Sequence, residues 1–281
     1  MSDALPTAAA LQRVFDARAH DFDEAAFVYD EVRARLFARL EAINVAPERV
    51  LDLGCASGRG ASALAKRFPA SELILLDVSR AMARKASTRT GRPVLNAALP
   101  RLPLADASIG LVFANLCLPY CDNLRGALLA VARVLEPGGL FAFATLGPDS
   151  FAEFKVARAA LGNKVWQPFV DMHHLGDALV QSGLAGPVLD VDYLEISYRE
   201  WDTLWREVVA SGAAPGQNTG GGLLGSGVRR QALEAEYPKV GGEAPYRITL
   251  ELVFGHAWRN PQPLAEGPAE VVVPIREIKR R

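Results

Sequence analysis

Between residues 50 and 146 the chain alternates two textures, and that alternation restricts the fold more than any other feature. "VLDLG" (50–54), "ELILLD" (72–77), "PVLNA" (93–97), "IGLVFAN" (109–115) and "LFAFATL" (140–146) are short, nearly continuous apolar runs that read as buried strands. Helical patterns at 59–68, 80–89 and 123–136 separate them. Strands spaced by helices imply right-handed βαβ units and a parallel sheet covered on both faces. "LEPGG" (135–139) reads as the stop of the third helix before the fifth strand.

A helix is expected over about 24–42, with Phe27, Val32, Leu36 and Leu40 on its core-facing side. Past the fifth strand, "DMHHLGDALVQSGL" reads as a helix, with His173 and His174 at its start rather than as metal ligands. "PVLDVDYLEISY" (187–198) and "YRITLELVFGHAW" (246–258) read as long alternating strands. The expected division is a helical segment over 1–42, an α/β core over 43–199, a partly helical, Gly-rich cap insertion over 200–245, a last core strand over 246–260 and a loosely attached basic tail over 261–281.

Composition then excludes several classes. Half of the 281 residues are hydrophobic, enough for one sizeable core. A net charge of -1 with dispersed Lys and Arg argues against nucleic-acid binding. No apolar run approaches the ~20 residues that span a bilayer, and the N-terminus lacks the pattern of a secretion signal. Three cysteines without a C-x-x-C pair argue against a disulfide framework or a zinc site and for a reducing, cytoplasmic setting.

The first strand runs into "VLDLGCASGRG" (50–60), a small-residue turn that opens a helix. In an open parallel sheet, ligands bind beyond the carboxyl ends of the strands at such a turn. A dinucleotide needs G-x-G-x-x-G directly after the strand. From Gly54 that pattern fails at Ala56 and Arg59, while Gly58, Gly60 and Ala63 fit a variant that begins four residues too late. S-adenosylmethionine suits the loop better: Asp52 near its ammonium, backbone of Gly54 and Gly58 near its amino-acid end, and Asp77, closing the second strand, for the two ribose hydroxyls. Asp77 would serve NAD equally; the loop spacing separates the two.

With these residues in view, the chain resembles the malonyl-acyl-carrier-protein O-methyltransferases of biotin synthesis over about residues 12–260, through "VLDLGCASGRG", "LLDVSRAMARKA", "LPLADAS", "TLGPDSF", "VDMHHLGDAL" and "GHAW". The resemblance implies a class I methyltransferase fold: a Rossmann-like, doubly wound α/β sheet of seven strands, mostly parallel with one antiparallel strand. It implies transfer of a methyl from S-adenosylmethionine to the free carboxylate of malonyl on acyl carrier protein, with no metal and no general base. It extends the cofactor set to Cys55, Ala56, Val78, Met82, Asn115 and Leu116.

Departures from the family pattern fall at both ends of the site. Ala56 replaces a glycine and is sterically tolerable on the expectation that φ there stays negative; Ala98 stands where an acid is common, with Asn96 as a partial substitute; Gly110 replaces an Asp, and Pro119-Tyr120 a Gln-Trp pair. On the acceptor side Phe22 replaces a Tyr and Val209 a Lys. Tyr29, Tyr120, Arg206 and His256 are the candidates for positioning the acceptor, and Arg206 with Arg229 and Arg230 for meeting an acidic carrier. Cys117 and Cys121 read as packing; Trp201, Trp205 and Trp258 either shield the pocket or sit in the core. Two alternatives stay open: a non-catalytic methyltransferase-like protein acting through a partner, and a methyltransferase acting on a protein side chain, as in the related complex I assembly factors.

Overall fold

The structure is a computed structural model that describes residues 7–121, 123–162, 169–210 and 227–260. The apolar runs become strands of one sheet: β1 (Arg49–Leu53), β2 (Glu72–Asp77), β3 (Val94–Asn96), β4 (Ile109–Asn115), β5 (Leu135–Leu146), β6 (Leu184–Tyr198) and β7 (Tyr246–Arg259). Their order is β3-β2-β1-β4-β5-β7-β6. The first five pair in parallel. β7 runs against both its neighbours, so it is the single antiparallel strand.

Helices α1 (Ala8–Arg18) and α2 (Phe27–Glu41) precede the sheet; α3 (Arg59–Arg67), α4 (Arg80–Thr90) and α5 (Leu124–Val134) make the parallel crossovers. α6 (Ala152–Ala160) and α7 (Met172–Gln181) lie between β5 and β6, and α8 (Trp201–Ala210) and α9 (Gly227–Ala235) between β6 and β7. The sheet is buried on both faces, and alternate strand residues divide between two cores. Leu111 and Phe113 of β4 join Val32, Leu36 and Leu40 of α2. Val112 and Ala114 point the other way, to Leu128 and Val131 of α5 and Leu175 and Leu179 of α7. Two-sided burial is why β4 carries no polar residue before Asn115.

Three expectations change. Phe27, expected in the core, opens α2 with 56% of its surface exposed, because the helix starts at that residue and its first turn lies beyond the sheet. α5 stops at Val134, and Leu135 already pairs with Ile109. "LEPGG" is therefore an irregular entry to β5 rather than a helix terminator, with a register shift at Ile109/Leu111. The segment 8–18 is a helix of its own, capped by the Thr7 hydroxyl, which accepts from Ala10 N. Within the cap insertion 200–245, residues 211–226 lie outside the described residues, as does the tail after 260.

Candidate active site

The strand order reverses between β1 and β4, and a cleft opens at their carboxyl ends. Its floor includes Asp52, Gly54, Cys55, Ala56, Asp77, Val78, Met82, Asn115 and Leu116, nine of the ten residues expected to hold the cofactor. Gly58 is the exception. It occupies the left-handed N-cap of α3 at φ 80°, and a Cβ there would come 3.0 Å from Ala86, so it serves helix-helix approach instead of lining the cleft. Gly54 has both reasons to be glycine: φ is 75°, and a Cβ would meet Cys117 Cβ at 2.7 Å.

Ala56 corrects an expectation. Its φ is +46°, in the left-handed region. What holds it there is Asp77, whose Oδ2 accepts from Ala56 N at 2.9 Å while Oδ1 accepts from Ser79 N at 2.8 Å. Leu116 across the cleft is left-handed too, at φ 55°. Two strained non-glycine residues thus line the one cleft, where strain in a functional site concentrates.

The electrostatics tell what the floor lacks. Asp52 is 4% exposed, and its Oδ2 has no hydrogen-bond partner; Asn115 Oδ1 on β4 is buried and equally unpartnered. Asn115 Nδ2 is engaged, donating to Tyr29 O at 3.0 Å. Burial raises the Asp52 pKa to about 7, with Arg33 lowering it and Asp77 raising it. Burial likewise raises Asp77 to about 6 against the two backbone hydrogen bonds that lower it. Orphaned buried acceptors are costly. Two of them beside a glycine turn form a receptor for a compact cation with several N–H donors. The ammonium of S-adenosylmethionine is such a group, and each oxygen of Asp77 keeps a lone pair for a ribose hydroxyl. The residues present fit this cofactor.

The far wall was only partly legible in sequence. Ala8, Leu11 and Phe15 of α1 and Phe22, Ala26 and Tyr29 close the cleft from above. Two acids latch this lid. Asp16 Oδ1 accepts from Ser79 Oγ at 2.6 Å and Ala81 N at 2.8 Å, at the start of α4. Asp23 takes Arg89 at 2.8 Å and Lys85 at 3.0 Å, and the Ser57 hydroxyl of the loop itself. Burial alone would raise the Asp23 pKa; the hydrogen bonds from Arg89, Ser57 and Lys85 outweigh it and hold it far below the usual carboxylate range. Neither acid was singled out in the sequence, where nothing in "FDARAHDFD" marks its partners about 30 to 60 residues away. The helical spacing of Ala8, Leu11 and Phe15 was the available signal for α1.

The acceptor candidates separate. Tyr29 and Tyr120 both line the cleft, and their hydroxyls are 3.0 Å apart. Phe22, in place of the expected hydroxyl, packs its ring 5.1 Å from Tyr29, and Phe15 lies edge-on to Tyr120 at 5.3 Å. Arg206 is not in the cleft but on a shallow outer groove with Arg18, Trp205, Val209 and Arg230. His256 is misplaced as an acceptor candidate: it pairs with Ala142 on β5, four residues short of Leu146 at the carboxyl edge, so it sits on the body of the sheet. Trp201 is core, packed on Phe154, Tyr237 and Tyr246. Cys117 and Cys121 line the cleft, and all three cysteines are free thiols.

Asn96 does not replace the missing acid at Ala98: it is not among the residues lining the cleft, its Nδ2 donates to the carbonyls of Asp77 and Val78 at 3.0 and 2.8 Å, and its Oδ1 accepts from Arg80 Nε at 3.4 Å. The cleft beside it is apolar, formed by Val78, Ala97, Ala98 and Leu99. At Gly110 a Cβ would come 2.7 Å from Glu136 Oε1 and 2.9 Å from Pro47, so no Asp fits. None of these departures fills the cleft.

Comparison with known proteins agrees with this geometry. A family profile described as a methyltransferase domain matches residues 51–143, from β1 to β5. A malonyl-[acyl-carrier protein] O-methyltransferase of Methylovorus sp. is 37% identical over 265 residues, covering 89% of this chain and 88% of that one. The chain belongs to that family. A second relative of the same name, from Gallionella capsiferriformans, is 34% identical and covers 96% of this chain and 97% of its own. Among solved structures, the YcgJ protein of Bacillus subtilis superposes with a TM-score of 0.59 at 18% identity, covering 80% of this chain and 97% of that one. A SAM-dependent methyltransferase from Thermotoga maritima gives 0.54 at 16%, covering 88% and 99%. These two show the fold, the class I methyltransferase sheet. The methyltransferase described here takes S-adenosylmethionine as its methyl donor.

Proposed function

We propose that this methyltransferase esterifies the free carboxylate of a malonyl group carried as a thioester on acyl carrier protein, the reaction for which its relatives are named, and that it does so in the cytoplasm, at the start of biotin synthesis. The observation that carries the reading is the pair of unpartnered buried acceptors, Asp52 Oδ2 and Asn115 Oδ1, at the floor of an open cleft that also holds Asp77. When bound, S-adenosylmethionine supplies a methyl group on a sulfonium that departs as a neutral thioether.

The chain's own work is binding, alignment and exclusion of water. Asp52 and Asn115 receive the ammonium, Asp77 the ribose diol, and the apolar wall at Val78 and Ala97–Leu99 the base. The acceptor carboxylate is ionised at neutral pH, so no residue has to remove a proton. Phe15, Phe22 and Leu116 keep the reacting end dry, where correct placement gains most. In this reading residues 1–42 and 200–245 form the acceptor cap. Among the described residues no helix is long and apolar enough to cross a membrane.

Incubation with methyl-labelled S-adenosylmethionine and malonyl carrier protein tests the proposal. Label recovered as a methyl ester on the malonyl group is the expected result, with none on an acetyl carrier. Tight S-adenosylmethionine binding without label on malonyl would remove the assigned acceptor.

A further inference from the structure

Helix α1 lies between the cleft and the outer groove, with Ala8, Leu11 and Phe15 lining the one and Ala17 and Arg18 the other. The steps from Ala8 to Phe15 are three and four residues, and the next position on that stripe is Arg18, the last residue of the helix. Its Nε is shielded from solvent and has no hydrogen-bond partner, and no carboxylate among the described residues pairs with it. Phe15, one turn earlier on the same stripe, packs edge-on against Tyr120 at 5.3 Å, and Tyr120 donates to or accepts from Tyr29 at 3.0 Å; burial lowers the Arg18 pKa, while Tyr120 and Tyr29 act to raise it. Arg18 lines the outer groove with Trp205, Arg206 and Arg230, and the two acids of that groove are engaged elsewhere, Asp202 with Arg230 and Asp21 with His20. A partly desolvated cation that lacks an anion is a site for one.

Other cations nearby are committed or remote. Arg33 and Arg59 both pair with Asp30, and Arg230 pairs with Asp202. Arg206 is exposed. On the opposite side of the tyrosines a small apolar cavity is lined by Glu207, whose carboxylate accepts from Tyr198 at 3.0 Å and disfavours an anion there. An anionic acceptor is thus drawn to the Arg18 side.

We propose that Arg18 anchors the carboxylate of the methyl acceptor, beside the Tyr29–Tyr120 hydroxyl pair, with the thioester arm leaving along the groove between α1 and α8. This rests on the carboxylate-methylating reading above. A carboxylate has about four lone-pair sites; a guanidinium on one edge steers it and leaves another site facing the cleft. Arg18 therefore sets selectivity for an anionic acyl group over a neutral one.

The test compares malonyl-pantetheine with acetyl-pantetheine as calorimetric probes, on full-length protein saturated with S-adenosylhomocysteine. The wild type is expected to prefer the malonyl probe by about tenfold or more, the range of a charge-assisted contact. Arg18→Gln is expected to bring the two probes within about twofold while leaving S-adenosylhomocysteine affinity unchanged, and Arg18→Lys to recover part of the preference, because it keeps charge but not the planar fork. A merely structural role would weaken both probes alike. Phenylglyoxal labelling of Arg18 in the wild type, read by mass spectrometry, needs no variant to fold: protection by malonyl-pantetheine and not by acetyl-pantetheine is expected. Equal preference in wild type and Arg18→Gln, no preference in the wild type, or no protection overturns the assignment. Arg18-dependent malonyl binding without methyl transfer leaves the anchor standing and removes the proposed reaction alone.

Discussion

The floor and the lid of the cleft are held by different forces. The floor is made by strands β1, β2 and β4, whose side chains are almost wholly buried, and its one fixed carboxylate, Asp77, is held by backbone N–H groups of Ala56 and Ser79. The lid, α1 and the turn after it, packs Ala19, Phe22 and Ala26 as a small apolar cluster against Met82 of α4 and is otherwise tied down by Asp16 and Asp23 across part-exposed hydrogen bonds and ion pairs. A floor built from backbone and apolar burial is insensitive to salt; a lid built from charge pairs is not. In the proposed reading the floor supplies affinity for the cofactor, and the lid governs its escape and the dryness of the site.

The largest break of that contrast is Asp77→Ala. It removes the ribose acceptor and leaves two backbone donors unpaired, so S-adenosylmethionine affinity by calorimetry should fall by about a hundredfold or more. Unchanged affinity would take Asp77 out of the cofactor site.

Asp52→Asn comes next and carries a sign in pH. The folded-state pKa of Asp52, about 7, lies above its ordinary value of 3.8, so the free folded protein binds more protons than the unfolded chain between those values. This group therefore stabilises the fold less as pH rises from about 4 to 7. Asp52→Asn should raise the Tm of the free protein at pH 8, a gain on the order of 1.4 kcal/mol per pKa unit relieved. The same variant should weaken S-adenosylmethionine by roughly tenfold. In the wild type, affinity should drop as pH falls through about 7, since the ammonium needs the ionised carboxylate, and it should not in the variant. A flat wild-type profile would deny Asp52 the ammonium.

Asp23→Ala addresses the lid. It frees Arg89, Lys85 and Ser57 together, and stopped-flow release of S-adenosylhomocysteine should quicken by about fivefold, the scale of ~1 kcal/mol for a part-exposed charge cluster. High salt should mimic it in the wild type and do nothing further in the variant. If release is unaffected, the latch is ornamental. Smallest is Ala56→Gly, which relieves a left-handed alanine and should stabilise the protein by about 1 kcal/mol in thermal unfolding without changing cofactor affinity. A loss of stability would mean that the methyl of Ala56 is packed rather than strained.

The sequence by itself determined the sheet, the place of the cleft on it and most of its floor. Those depend on local texture: runs of Val, Leu and Phe that only two-sided burial explains, a small-residue turn, and an acid at the end of the second strand. Even there it misjudged what depended on a neighbour. It allowed Ala56 a negative φ because the N–H bond to Asp77 is made between residues 21 apart, and it credited Gly58 to the ligand because a contact with Ala86 has no trace in the loop itself. Only the tertiary structure decided the acceptor side. His256 and Tyr120 were equal candidates as letters; strand register set one on the body of the sheet and a short 3-10 turn set the other against Tyr29. Arg18 carried no signal at all, since a guanidinium acquires meaning only from what surrounds it: a shielded, unpartnered Nε and, among the described residues, no carboxylate paired with it.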